Sequence, residues 1–335
     1  MIGADGLNSR GDPGSRSSPG RYLVGERHHR LRLDRYLQDI RPDLSRGAIE
    51  ELLRTGAVVV RGYARDRRYY VKRGDWIEIL DVQQPPAHLE PVLVLRTAQL
   101  LVAGKPPGMA TNPVGPKGTS LLDWVTLHLA AGASAARAES GPDERPPAAQ
   151  KTAPSAGVVH RLDRDASGVV CFSLSPEAHR RLLEAFRRRR IGKRYLALVA
   201  GTVRPREGTI DLPLARSTSG RVRPDPGGAP AQTSYRVLRS GAGVTLLEVR
   251  PRSGRMHQIR VHLSAAGHAI LGDPLYGNPR HAPLASRLWL HAFALKFPPR
   301  LAEGLQAPDT LTCPLWPDLA AHGRQLGLPG LEEWD

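Results

Sequence analysis

Apolar positions between residues 28 and 81 fall into two periods. Leu33, Tyr36, Leu37 and Ile40 recur three and four residues apart, the spacing of one helix face, and Pro42 stops the run. Ser45 is placed to cap a second helix carrying Ile49, Leu52 and Leu53, with Gly56 at its end. Ala57 to Val60 then reads as a strand and Arg61-Gly62 as a turn. A further turn at Gly74-Asp75 leads into Trp76 to Ile79. Residues 28–81 thus predict a small α/β module. Residues 1–27 are polar and rich in Gly and Ser; they predict a disordered arm with no secretory h-region.

Beyond a Pro-containing linker at 82–91, residues 92–320 read as short strands separated by Gly and Pro, with occasional helices. Ser175 and Pro176 mark the start of one helix, which ends in the run Arg187 to Arg190, cations that suit a helix C-terminus, with phosphate contact as an addition. From Gly157 to Val170, two apolar runs flank a polar, charged stretch, the layout of strand, tight loop and strand. Residues of about 130–156 are low in complexity and predict a disordered insertion. Residues 217–231 form a second Gly/Pro/Arg loop, and 321–335 read as a tail. No segment approaches the roughly 18 apolar residues of a membrane span.

Composition changes the picture in one respect. The 335 residues carry 48 Lys and Arg against 32 Asp and Glu, a net charge of +16. Such an excess points to a polyanion, either nucleic acid or an acidic surface. Only six of the cations are lysine. Arginine suits phosphate and base recognition, although GC-rich codons alone would favour it over lysine. Between Arg32 and Arg73 there are 11 basic and 6 acidic residues, many of the basic ones (Arg46, Arg54, Arg61, Arg65, Arg67, Arg68) on the second helix or just after it. A module this small buries little, so a basic face on it reads as a binding patch. Two cysteines, Cys171 and Cys313, are too few for a disulfide framework and fit a reduced, cytoplasmic protein.

Candidate chemistry concentrates in His160-Arg161-Leu162-Asp163-Arg164-Asp165-Ala166-Ser167-Gly168. Loops displayed by a rigid sheet are where reacting groups usually sit. Arg161 and Asp163, two apart, share one face of an extended backbone. Neighbouring guanidinium groups favour the charged, nucleophilic form of a carboxylate. Spacing alone favours the plainer account, a turn aspartate among surface arginines. His257, His262 and His268 do not have the spacing of a one-face helical metal pair, and on a strand the first two would face opposite ways.

Several segments, in order, resemble known families. Leu33-Asp34, Leu44-Ser45-Arg46, Gly56-Ala57-Val58 with Val60 and Gly62, and Gly74-Asp75 resemble the small RNA-binding module named after ribosomal protein S-four, with Arg61 where that family usually has Asn. His160-Arg161-Leu162-Asp163 with Ser167-Gly168 resembles the signature of the RluA-type RNA pseudouridine synthases, with Ala166 where Thr is more usual. Lys105-Pro106-Pro107-Gly108, Lys193 to Val199, Ser253 to Leu263, Leu271 to Gly277 and Leu290-His291-Ala292 resemble further motifs of the same family.

The resemblance implies an α+β catalytic domain on a mixed, mostly antiparallel sheet, behind the small α/β RNA-binding module. It implies that Asp163 is the catalytic aspartate, that Tyr195 stacks on the target uracil and can act as a base, and that Arg260 pairs with the aspartate. It further implies that Arg161 fills the gap left by a flipped base and that Leu290 packs in the pocket. His160, Arg46 and Arg54 join these as expected RNA contacts. The implied reaction turns uridine into pseudouridine in structured RNA, with attack open between the anomeric carbon and carbon 6, and no metal or other cofactor. Ribosomal RNA of the large subunit is the expected partner, transfer RNA stays open, and the chain is expected to act as a monomer away from membranes. The alternative is a non-enzymatic RNA-binding assembly factor with a decayed synthase domain.

Overall fold

The computed structural model describes residues 20–54, 57–60, 63–64, 67, 69–79, 89–113, 120–139, 156–218, 220–278, 285–328 and 330–331. The chain divides into two units, Met1–Gln83 and Gln84–Asp335. Gly56, the Arg61-Gly62 turn, most of the linker and residues 140–155 of the expected insertion lie outside the described residues. No helix among the described residues is long and apolar enough to cross a membrane.

In the first unit, strands β1 (Gly20–Leu23), β2 (Val58–Val60), β3 (Tyr63–Ala64) and β4 (Trp76–Ile79) form a sheet of order β1-β4-β2-β3, accompanied by α1 (Leu33–Ile40) and α2 (Arg46–Arg54). The helical spacing read from sequence puts Leu33, Tyr36 and Leu37 in the core with Ile49, Val58, Val60, Ile77 and Ile79. Ser45 Oγ accepts the Ala48 N–H at 3.2 Å, which satisfies one orphan donor at the start of α2. The turn before β4 is closed by buried Asp75, which accepts the Lys72 N–H at 2.8 Å and the Tyr69 hydroxyl at 3.0 Å. Residues 20–27 of the expected arm belong to the fold, and 1–19 lie outside the described residues. Gly20–Leu23 pairs antiparallel with β4, Gly20 opposite Ile79, and Val24 is buried. The pairing partner lies more than fifty residues away, so no local pattern announces it.

The second unit contains β5 (Val92–Arg96), β6 (Leu100–Lys105), α3 (Leu121–Glu139), β7 (Gly157–Val158), β8 (Ser167–Ser173), α4 (Pro176–Arg187), β9 (Gly192–Ala200), β10 (Glu207–Asp211), β11 (Leu214–Arg216) and β12 (Val222–Pro224). It continues with β13 (Gln232–Gly241), β14 (Val244–Pro251), α5 (Gln258–Ala265), β15 (Leu290–Lys296), α6 (Pro299–Gly304), β16 (Thr310–Thr312) and α7 (Pro317–Gln325). A 10-stranded sheet runs β10-β13-β14-β9-β15-β8-β6-β5, with β16 on β15 and β7 on β8. Of its pairings only β15 with β8 is parallel, so the sheet is mixed and mostly antiparallel and the fold is α+β. Strands β6 and β8 are buried on both faces, which explains their continuous apolar runs. Helices α3, α4 and α6 join them in one core, and α5 and α7 pack with β9, β14 and β15 in another.

Local signals hold where the chemistry is local. Ser175 caps α4 by accepting the Ala178 N–H at 3.1 Å, and Pro176 opens its first turn. Three expectations change. Helix α3 runs through residues 130–139, because the alanines that lower complexity there are also the best helix formers. The loop at 217–231 holds one strand of a hairpin, β11 paired with β12. The expected tail is packed: α7 precedes Leu328 and Leu331, which are buried in the core with Trp289.

One close approach at the sheet centre positions the loop before β8. Gly168 has φ +120, and a Cβ there would lie 2.1 Å from the Ala292 carbonyl oxygen. Only glycine lets β8 begin against the start of β15 at this distance. The loop is thereby fixed beside Leu290 and His291.

The packed C-terminus can be tested. Leu331→Ala should lower the unfolding free energy by about 2–4 kcal/mol, read by urea denaturation. A loss under about 0.5 kcal/mol, the range of ordinary surface changes, would return this segment to a solvated tail.

Candidate active site

The loop between β7 and β8 carries Asp163 and is pinned on both sides of it. Leu162 is held through Thr111, whose Oγ1 accepts the Leu162 N–H at 3.2 Å and donates to the Leu162 carbonyl at 3.3 Å. Arg164 is held through Lys105, a fully buried ammonium that donates to the carbonyls of Pro106, Met109 and Arg164 at 2.8, 2.8 and 2.9 Å. Burial pushes the Lys105 ammonium down to about 7, against the pull of nearby Asp165 and Asp163. Arg164 Nε returns a bond to the Gly108 carbonyl at 2.7 Å. Behind the loop, buried Ser167 and His291 bond at 3.0 Å, and His291 Nε2 donates to the Cys313 carbonyl at 3.0 Å. Asp163 is therefore displayed from a backbone with little freedom.

Arg260 rises from the first turn of α5 and is nearly inaccessible. Its Nη1 lies 3.5 Å from Asp163 Oδ2. Its tighter partner is Asp273, which accepts Nε and Nη2 at 2.8 Å each. The other lone pairs of Asp273 Oδ1 take the backbone N–H groups of Leu275 and Tyr276 at 2.9 and 3.0 Å. The Tyr276 ring lies 5.3 Å from the guanidinium, and its hydroxyl bonds His257 Nδ1 at 2.9 Å. The segment 253–263 is a turn and a helix, so the strand geometry considered for His257 and His262 does not apply. His257 precedes α5 at φ 52, and buried Gln258 ties the turn down, accepting from Ser253 Oγ and Arg255 N while donating to Gln232 O and Thr233 Oγ1.

These groups meet in a cleft of about 700 Å³ whose lining includes His160, Arg161, Asp163, Tyr195, Arg260 and Leu290. Tyr195 projects from β9. Its hydroxyl proton is held above the usual tyrosine range, first by burial and then by the Asp163 charge. Leu290 is a buried apolar wall and Arg161 is exposed at the surface. His160 lines the cleft, but its ring is committed to the fold: Nε2 accepts the Cys171 N–H at 3.0 Å and the ring stacks on Phe186. Arg46 and Arg54 belong to the first unit. Arg46 is exposed and 3.7 Å from Glu50; the Arg54 side chain lies outside the described residues. The three histidines weighed as metal ligands are engaged separately, His257 with Tyr276, His262 with Thr233 and Leu212, and His268 with Ala200.

The RNA pseudouridylate synthase family model matches residues 99–265, which include the pinned loop, Tyr195 and Arg260. A Chloroflexus aurantiacus protein named "Uncharacterized RNA pseudouridine synthase" is 37% identical over 88% of this chain and 90% of its own length. The chain belongs to this family. It is similar also to "Ribosomal large subunit pseudouridine synthase D" of Zymomonas mobilis, 35% identical over 79% of this chain and 85% of the relative. The human protein titled "RNA Pseudouridylate Synthase Domain Containing 1" shares the fold with TM-score 0.55 and 26% identity, over 72% of this chain and 90% of that one. The chain is thus an RNA pseudouridine synthase, an isomerase acting on RNA.

The sequence reading of this synthase left out Asp273, Lys105 and Gln258 as site-building residues. Each lay inside a quoted motif. What gives them their roles is a tertiary partner: Arg260 for Asp273, the Arg164 carbonyl for Lys105, and Gln232 and Thr233 for Gln258.

The committed ring of His160 predicts a pH effect. Burial brings its imidazole down to about 3 from 6.5. Between these values the unfolded chain binds a proton that the folded chain does not, so stability rises with pH across that window and falls on acidification. The unfolding free energy of wild type should drop from about pH 6.5 towards 3, and His160→Gln, which removes the titrating group, should make that drop shallower. Parallel stability-against-pH curves for the two proteins would remove His160 from the acid response.

Proposed function

We propose that this synthase modifies uridines of large-subunit ribosomal RNA, with Asp163 as the nucleophile. What carries the reading is the meeting in one cleft of the pinned Asp163, a buried Arg260 and the Tyr195 ring. The names of the relatives from Zymomonas mobilis and Escherichia coli, both ribosomal large subunit pseudouridine synthase D, support the substrate.

The target uridine must first leave its stack, at a cost of roughly a few kcal/mol. Stacking on an aromatic ring recovers about 1–3 kcal/mol. Tyr195 supplies that ring as a neutral phenol, because burial and Asp163 hold its proton. Arg161, exposed beside Asp163, takes the space the base vacates, and Leu290 supplies the apolar wall. The Asp163 carboxylate then attacks the anomeric carbon or carbon 6 of the base. In either course the bond from ribose to N1 breaks and a bond from ribose to C5 forms. C5 loses its proton and N1 gains one, so the atoms balance with no cofactor. Pinning the loop at residues 162 and 164 keeps the carboxylate in position while the base turns.

In the first unit, residues 28–81 act as an S-four-like RNA-binding module, with Arg46 and Arg54 of α2 reaching phosphates. A tethered module raises the effective concentration of the catalytic unit at its target.

The decisive assay is tritium release from large-subunit ribosomal RNA labelled at uridine C5. Wild type should release tritium, and Asp163→Asn should lose turnover by at least about 10³-fold while binding RNA nearly as well. Turnover in Asp163→Asn at the wild-type rate would remove Asp163 from the mechanism. For the first unit, Arg46→Ala with Arg54→Ala in the full chain should lower RNA affinity and reduce the slope of log K against log salt by roughly 2. An unaltered slope would count against that module as a phosphate-binding face.

A further inference from the structure

Arg189 occupies a backbone conformation that suits glycine. Helix α4 closes with two bonds, Arg190 N–H to the Ala185 carbonyl at 2.9 Å and Arg189 N–H to the Phe186 carbonyl at 3.0 Å. This pattern needs a left-handed residue between the helix and the next segment, usually Gly and sometimes Asn. Arg189 fills it with φ 55. Its Cβ crowds the neighbouring carbonyl there, a penalty that glycine avoids. Among the described residues with positive φ that are not glycine, Arg189 and His257 line the cleft. His257 bonds Tyr276 and serves the fold. The Arg189 side chain is exposed and makes no ion pair or hydrogen bond among the described residues, so nothing in the fold offsets its strain.

Its surroundings show what it is held for. Arg189 shares the cleft wall with Lys193 and Arg187. Lys193 is half-buried and among the described residues donates to the Ser253 carbonyl alone, at 3.1 Å. Burial and then the Arg189 charge hold its ammonium below the usual lysine range. Asp163 is the single carboxylate among the residues that line the cleft. This wall therefore presents positive charge that, among the described lining residues, has no carboxylate but Asp163. A flipped uridine brings its own anions, the phosphates on either side of its ribose.

We infer that Arg189 binds a backbone phosphate of the RNA beside the flipped uridine, and that the strained turn at the end of α4 is kept in order to aim its guanidinium there. The inference rests on the cleft being where the uridine is turned.

The test uses the full chain and a fluorescein-labelled large-subunit ribosomal RNA transcript, with binding followed by anisotropy across a salt series. Arg189→Gly relieves the backbone and removes the charge. Its melting temperature should equal that of wild type or exceed it by up to about 3 °C. Its Kd should rise about 5–20-fold at low salt, and the salt slope should fall by about one counterion. Arg189→Lys should retain the wild-type slope. Wild-type Kd and slope in Arg189→Gly would overturn the phosphate contact. A lower melting temperature would overturn the inference as well, since the side chain would then be serving the fold. Failure of the underlying reading shows elsewhere, as full tritium release by Asp163→Asn.

Discussion

A guanidinium buried to within 2% of full occlusion has to be answered by charge, and Arg260 is such a group. Removing an ion from water costs several kcal/mol unless partners meet it with good geometry. Asp273 supplies that geometry with two bonds of 2.8 Å, and it is fixed in turn by the backbone N–H groups of Leu275 and Tyr276. The same guanidinium faces the Tyr276 ring, whose hydroxyl accepts the Val222 N–H at 3.2 Å and bonds His257 at 2.9 Å. Helix α5, the segment after it and the β11–β12 hairpin are thus gathered around one charge. Their common placement beside the Asp163 loop follows from it.

The opposite wall is built by a different device. The Asp163 loop is held by neutral and charged donors aimed at its own carbonyls, Thr111 at residue 162 and Lys105 at residue 164. An irregular loop would otherwise carry unsatisfied carbonyls into a buried setting. Lys105 meets one of them, at Arg164, while its ammonium also takes the Pro106 and Met109 carbonyls of its own segment. Gly168 completes the arrangement by letting β8 start against β15. A carboxylate on such a support has little conformational freedom left to lose, and in the proposed role of Asp163 pre-paid orientation of this kind would be a large source of rate.

What the sequence shows of this is set by range. The capped starts of α2 and α4 depend on Ser45 and Ser175 and their near neighbours, and they were legible. So was the strand–loop–strand layout around Asp163, since buried β8 writes itself as an unbroken apolar run and Val158-Val159 mark the other side of the loop. Strand β1 was not, because its partner at 76–79 is distant and its own residues, Gly-Arg-Tyr-Leu, give no alternation. The tail was misread because Leu328 and Leu331 are isolated apolar residues until Trp289 is beside them. Helix α5 was hidden by polar residues that face inward, as Gln258, Arg260 and His262 are all buried. Inward polar residues erase the apolar stripe by which a helix is recognised. Arg189 was read among four arginines that suit a helix C-terminus, and that account covers its charge without its backbone.

The sharing of Arg260 between two aspartates bears on how Asp163 would serve as the nucleophile proposed above. A carboxylate in a bidentate pair with arginine has its lone pairs engaged and its solvation replaced by fixed donors, which stabilises it and blunts attack. Here that pairing belongs to Asp273. Asp163 receives the remaining Nη1 at 3.5 Å, beyond the usual range of a strong charged hydrogen bond. The contact is close enough to orient the carboxylate and long enough to leave it outside a closed bidentate pair. Asp273 therefore does two things at once. It meets the burial requirement of the arginine, and it draws the strong donors away from Asp163. A site with Arg260 and Asp163 alone would satisfy the charge only by closing the pair, with the Asp163 carboxylate locked in it. The third member makes the ion pair compatible with chemistry.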